Sequence, residues 1–149
     1  MKMSGFFKKE GHQTSLVQGY EEIGKFDKLY LSQVFTDTCV PPKVLILGNL
    51  TYGGTGFYYD KAPKLPDEIE HCMPDYGLYD AYIEKIRRYG ESDSVYKFYT
   101  DYSIGFLTRG CFRKCSFCVN RNSTRSVPAS PLEEFMDEKR KKLCFLDDN

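Results

Sequence analysis

Apolar positions in this chain recur in short blocks separated by turn-forming residues, and the spacing within each block predicts its element. Tyr79, Tyr82, Ile83 and Ile86 follow i, i+3, i+4, i+7, so residues 79–89 read as an amphipathic helix closed at Gly90. Residues 6–10, stopped at Gly11, read as the end of another helix. Residues 13–17 read as a short strand, 20–25 as a helical turn and 28–35 (KLYLSQVF) as a longer strand. The apolar run 43–47 fits either a strand or a buried helical turn. Residues 52–56 (YGGTG) carry three glycines in four residues and read as a loop, while 91–94 reads as a linker.

The last third has the clearest pattern. Residues 103–107 (SIGFL) predict a strand, followed by a long polar loop and then a helix. Ser130 is placed to cap that helix, Pro131 to open it and Glu133 to complete a capping box. Leu132, Phe135 and Met136 would form its apolar face, with acids in the first turn and Lys139 to Lys142 in the last, as the helix dipole favours. Residues 143–146 return as a strand, giving a strand–helix–strand unit whose loop leaves the carboxyl end of the first strand. That is where α/β folds place their chemistry.

Composition narrows the classes. Among 149 residues, 21 bases balance 21 acids and 41 % are hydrophobic, which suits a globular protein not held to nucleic acid by bulk charge. No apolar run reaches the roughly 20 residues needed to span a bilayer. The first residues hold no apolar signal-peptide core. A cytoplasmic protein is expected. The 12 Tyr and 11 Phe read as core rather than as a stacking platform.

The six cysteines change the picture most. Cys111, Cys115 and Cys118 fall within eight residues, and three thiols on one loop always leave one unpaired, so a disulfide framework fits them poorly. Three sulfurs sharing one metal centre fit better. A cubane iron–sulfur cluster takes one thiolate per iron, so three ligands leave the fourth iron open to a small molecule. Five cations (Arg109, Arg113, Lys114, Arg121 and Arg125) and no acid lie between residues 102 and 132, suited to offsetting an anionic cluster. Cys39, Cys72 and Cys144 read as small core hydrophobes, and His71 as a surface or packing residue.

Cys111, Cys115 and Cys118, with Phe117 just before the last of them, match the CxxxCxxC signature that radical SAM enzymes carry between a strand and a helix. The chain therefore resembles that superfamily. The stretches 28–36 (KLYLSQVFT), 52–57 (YGGTGF), 65–71 (LPDEIEH) and 74–76 (PDY) are similar to the amino-terminal half of members with a degenerate cobalamin-binding-like domain. The resemblance implies an α/β fold in which a Rossmann-like amino-terminal remnant (1–95) precedes the first β-α-β unit of a partial (β/α) barrel (101–149). It implies a [4Fe-4S] cluster on the three cysteines that reductively cleaves S-adenosylmethionine to a deoxyadenosyl radical. Phe117 would lie against the adenine, and Asp147 and Asp148, at the end of the second strand, are candidate cofactor contacts. An electron donor such as flavodoxin or ferredoxin would serve as partner, and a second polypeptide could complete the barrel. Neither His12 nor His71 sits in a DxHxxG loop, so cobalamin is not expected. The glycine-rich stretch usual after the second strand is not found, and the expectation is a chain truncated at both ends. Two alternatives stand beside this reading. One is a zinc module, without a second cysteine pair at the usual spacing, that contacts RNA or a protein through the five cations. The other is a chain without a metal centre, its thiols uncommitted and the chain itself a non-functional remnant.

Overall fold

The computed structural model describes residues 1–148. The chain is mixed α/β: α1 (Lys2–Lys9), β1 (Leu29–Ser32), α2 (Pro42–Leu45), β2 (Leu50–Gly53), α3 (Thr55–Tyr58), α4 (Asp67–Glu70), α5 (Asp80–Arg88), α6 (Asp93–Asp101), β3 (Tyr102–Gly105), β4 (Thr108–Arg109), β5 (Val127–Pro128) and β6 (Lys142–Phe145), with short 3₁₀ turns between them. The strands form three two-stranded sheets: parallel β1–β2, parallel β3–β6 and antiparallel β4–β5. Among the described residues, no helix is long and apolar enough to cross a membrane.

The chain folds into two compact units that no single cut in the sequence separates. One comprises residues 1–16, 65–112 and 124–149; the other comprises 17–64 and 113–123.

The core of the larger unit is built around Phe135, which is wholly buried, and Tyr76. The Tyr76 hydroxyl donates to the Phe135 carbonyl at 2.6 Å and accepts from the Ile104 N–H at 2.8 Å, tying β3 to the 131–137 segment. Gly105 gives Phe135 its place, because a Cβ there would stand 2.3 Å from the ring. The amphipathic period at Tyr79 to Ile86 does fold as a helix, with Ile83 buried, and Tyr99 of α6 stacks on Tyr79 at 4.7 Å. Arg140 donates to the carbonyls of Tyr99, Tyr102 (3.1 Å) and Tyr76 (3.2 Å), joining α6, the start of β3 and the turn before α5 through one guanidinium. At the amino end, α1 is held by Asp75, which accepts from Ser4 at 2.6 Å and pairs with Lys8 at 2.8 Å.

In the smaller unit, Gln33 is buried just after β1, and its amide donates to the carbonyls of Phe35 at 2.7 Å and Thr38 at 3.1 Å. Gly54 packs on the Gln33 backbone with φ of +102°, where a Cβ would meet the Gln33 carbonyl oxygen at 2.2 Å. Gly54 and Gly56 thus serve close approach to the Gln33 segment, whereas a Cβ at Gly53 would meet nothing within 4 Å.

Several expectations are corrected. The expected helix over 131–142 is only a 3₁₀ turn at Leu132–Glu134, and Pro131 rather than Ser130 precedes it, without a side-chain cap. The backbone groups a helix would pair internally are used elsewhere: Phe135 C=O by Tyr76, and the Asp137 N–H by Ser103 Oγ at 2.9 Å. Residues 13–17 join no ladder. Tyr52 and Gly53 lie in β2 rather than in a loop, paired in register with Leu31 and Ser32. The linker at 91–94 shrinks to a break before α6, which begins at Asp93. Cys39 is exposed rather than a core residue.

Candidate metal centre

The cysteine loop begins where β3 ends, and its base is closed by backbone and carboxylate. β4 pairs antiparallel with β5, the Ala129 N–H donates to the Leu107 carbonyl at 2.8 Å, and the Ser130 N–H donates to the Phe106 carbonyl at 3.2 Å. The 110–126 segment therefore leaves and re-enters the fold through one narrow neck. Asp147, just past β6, reinforces that neck. Its carboxylate accepts from the N–H of Leu107 at 2.9 Å, the N–H of Thr108 at 3.2 Å and the Thr108 hydroxyl at 2.8 Å. Burial, the largest single influence, pushes the Asp147 carboxyl upward. The Thr108 hydroxyl, the two N–H donors and the Arg109 charge together outweigh it and hold the group below its ordinary value. Asp148 accepts from the Gly110 N–H at 3.4 Å. Both candidate cofactor contacts thus bind the backbone that leads into the loop.

Cys111 is buried in the larger unit. In the smaller unit, Cys115 and Cys118 are half-buried and share a turn, with the Cys118 N–H donating to the Cys115 carbonyl at 3.1 Å. The Cys118 sulfur accepts from the Asn120 N–H at 3.4 Å. Phe117 is 83 % exposed and offers an open ring face. Its carbonyl accepts from the Tyr59 hydroxyl at 2.7 Å. Beside it, Asp60 pairs with Arg121 at 3.1 Å and accepts from the Asn122 amide at 2.7 Å. Tyr59 and Asp60 thus anchor the loop segment 113–123 within its own unit. Sequence reading missed both, and no signal marks them, because they act on residues about sixty positions away.

The donor set suits a thiophilic metal or cluster, since three cysteines of one loop supply soft ligands. Among the described residues, no three Cys, His, Asp or Glu side chains are gathered as a metal site. The cationic setting is also more committed than its sequence suggests. Arg109 pairs with Glu70 at 3.0 Å and lies 3.8 Å over the Phe106 ring, and Arg121 is paired with Asp60. His71 lies at the surface, 2.8 Å from Glu134. An open cleft of about 470 Å³ lies between residues 73–77 and 136–139 of the larger unit, and no cysteine lines it.

Comparison with known proteins finds no matching family model, no matching curated protein and no matching solved structure.

Proposed function

We propose that the 111–118 loop is a cluster-binding loop of the radical SAM type, with Cys111, Cys115 and Cys118 as thiolate ligands. When bound, a [4Fe-4S] cluster with one open iron supplies one-electron reductive cleavage of S-adenosylmethionine to a deoxyadenosyl radical. The observation that carries the reading is positional: a CxxxCxxC loop emerges from the carboxyl end of β3, whose neighbour β6 is parallel and follows the loop in sequence. On this reading β3–β6 corresponds to the opening of a (β/α) barrel, and β1–β2 to a Rossmann-like remnant.

The chain's own residues have distinct tasks in this proposal. Phe117 offers an exposed ring for the adenine. Asp147 and Asp148 act at one remove, by fixing the backbone of Leu107, Thr108 and Gly110 at the loop's entry. Tyr59 and Asp60 anchor its far side.

The test is anaerobic reconstitution with iron and sulfide, followed by metal analysis and an EPR spectrum of the reduced protein with and without S-adenosylmethionine. The expected result is brown protein with about four irons per chain, a spectrum perturbed by S-adenosylmethionine, and loss of iron in Cys111→Ala, Cys115→Ala and Cys118→Ala. Full reconstitution of all three variants would overturn the assignment, as would stoichiometric zinc without iron in the freshly purified protein.

A further inference from the structure

We propose that the chain forms a two-fold dimer in which β6 pairs antiparallel with β6 of a second copy. The inference goes beyond the cluster reading and does not depend on it.

Each side of the β3–β6 sheet is closed differently. The outer edge of β3 is occupied by the Tyr76 hydroxyl, which accepts from the Ile104 N–H at 2.8 Å. Among the described residues, β6 has only β3 as a strand neighbour. The Leu146 N–H donates to the Gly105 carbonyl, so the backbone groups of Cys144 and Leu146 turn toward β3. By strand alternation, the N–H and C=O of Leu143 and Phe145 point outward. Leu143, Phe145 and Leu146 are 39 %, 48 % and 43 % exposed, an apolar edge of the kind that invites another strand.

Charge selects the occupant. β6 is preceded by Lys139, Arg140, Lys141 and Lys142 and followed by Asp147 and Asp148. A second copy running antiparallel brings the basic end of each strand over the acidic end of the other, whereas a parallel copy would set like against like.

The outward groups limit the register to pairings among residues 141, 143, 145 and 147, and charge chooses among these. Setting Lys141 opposite Asp147 makes Leu143 face Phe145 of the second copy and the reverse, both as hydrogen-bonded pairs. Cys144 then faces its own counterpart on the two-fold axis, at a non-hydrogen-bonded position where Cα atoms lie about 4.5 Å apart. That separation lies at the short end of the range a disulfide spans. The register one pair further along would set Leu143 against Asp147, apolar against carboxylate. The result would be a four-stranded sheet without the apolar edge.

Edge pairing over so few residues buries less than a standard interface of about 1,600 Å², so a concentration-dependent dimer is expected. Sedimentation velocity of the reduced protein over a range of concentrations should show monomer–dimer exchange. Adding diamide should join the two Cys144 thiols, each losing its proton while the pair gives two electrons to the oxidant, and peptide mass spectrometry should identify the Cys144–Cys144 link. The doubly charge-reversed variant K141E/K142E sets acid against acid and should raise the dimer dissociation constant at least about tenfold at low salt. Its circular dichroism should be unchanged, because both side chains are exposed. A protein that is monomeric at every soluble concentration would overturn the proposal. So would a dimer lacking the Cys144–Cys144 link, an open series of larger assemblies, or a dimer indifferent to charge reversal.

Discussion

Tyr76, Phe135 and Gly105 show how much of the larger unit rests on single side chains. The Tyr76 hydroxyl satisfies a donor on β3 and an acceptor at Phe135 in a buried setting. Tyr76→Phe keeps the ring and strands both groups, so a loss of about 1–3 kcal/mol is expected in a urea titration. Gly105→Ala drives a methyl into a ring with no room to retreat. Overpacking of this kind costs about 1–3 kcal/mol, and the same titration should show it. Sequence reading placed Phe135 on an apolar face, correctly as to burial, whereas Tyr76 stood out only as part of the 74–76 (PDY) stretch, with nothing to mark the role of its hydroxyl.

At the scale of elements, local signals held where they agreed with packing and failed where tertiary partners competed. The period at Tyr79 to Ile86 is satisfied within one helix that buries Ile83, so pattern and structure coincide. The 131–142 segment carries stronger cap and dipole signals, yet its helix stops after one 3₁₀ turn because Tyr76 and Ser103 take the backbone groups a longer helix would have used. Ser103→Ala removes the acceptor for the Asp137 N–H in a buried position and should lower stability by about 1–3 kcal/mol. The change should be read by thermal unfolding together with circular dichroism, where helical signal gained by the variant would show the segment reverting to its local preference. In the smaller unit, Gly54→Ala combines a left-handed backbone with collision against Gln33, and a loss of more than about 1 kcal/mol is expected.

At the scale of the molecule, two carboxylates set the response of the larger unit to acid. Burial pushes the Asp75 carboxyl upward, but hydrogen bonds from Lys8 and Ser4, the Lys8 charge and the Gly77 backbone hold it below its ordinary value. Asp147 is lowered likewise by Thr108, Leu107 and Arg109 against its own burial. A carboxyl depressed by folding contributes stability that is complete above the unfolded value of about 3.9 and is lost as pH falls through the lower folded value. Urea midpoints should therefore be level near neutrality and decline below about pH 4. Asp75→Asn and Asp147→Asn should each lower the neutral plateau and flatten the acid limb; an unchanged acid limb in both would mean that neither interaction contributes.

The sequence by itself determined the α/β class, the helix at Tyr79 to Ile86, the two strands that bracket the cysteine loop and the three-thiol motif. Each is written in neighbouring residues, through side-chain period or motif spacing, and needs no distant partner to be recognised. Tertiary structure decided the parallel partners, the unwinding of 131–142, the pairing of Arg109 and Arg121 with Glu70 and Asp60, and the interleaved units. These join residues tens of positions apart. What selects them is the burial of Phe135, Tyr76 and Gln33 with every nearby polar group satisfied, a condition on the assembled core that no local window of sequence contains.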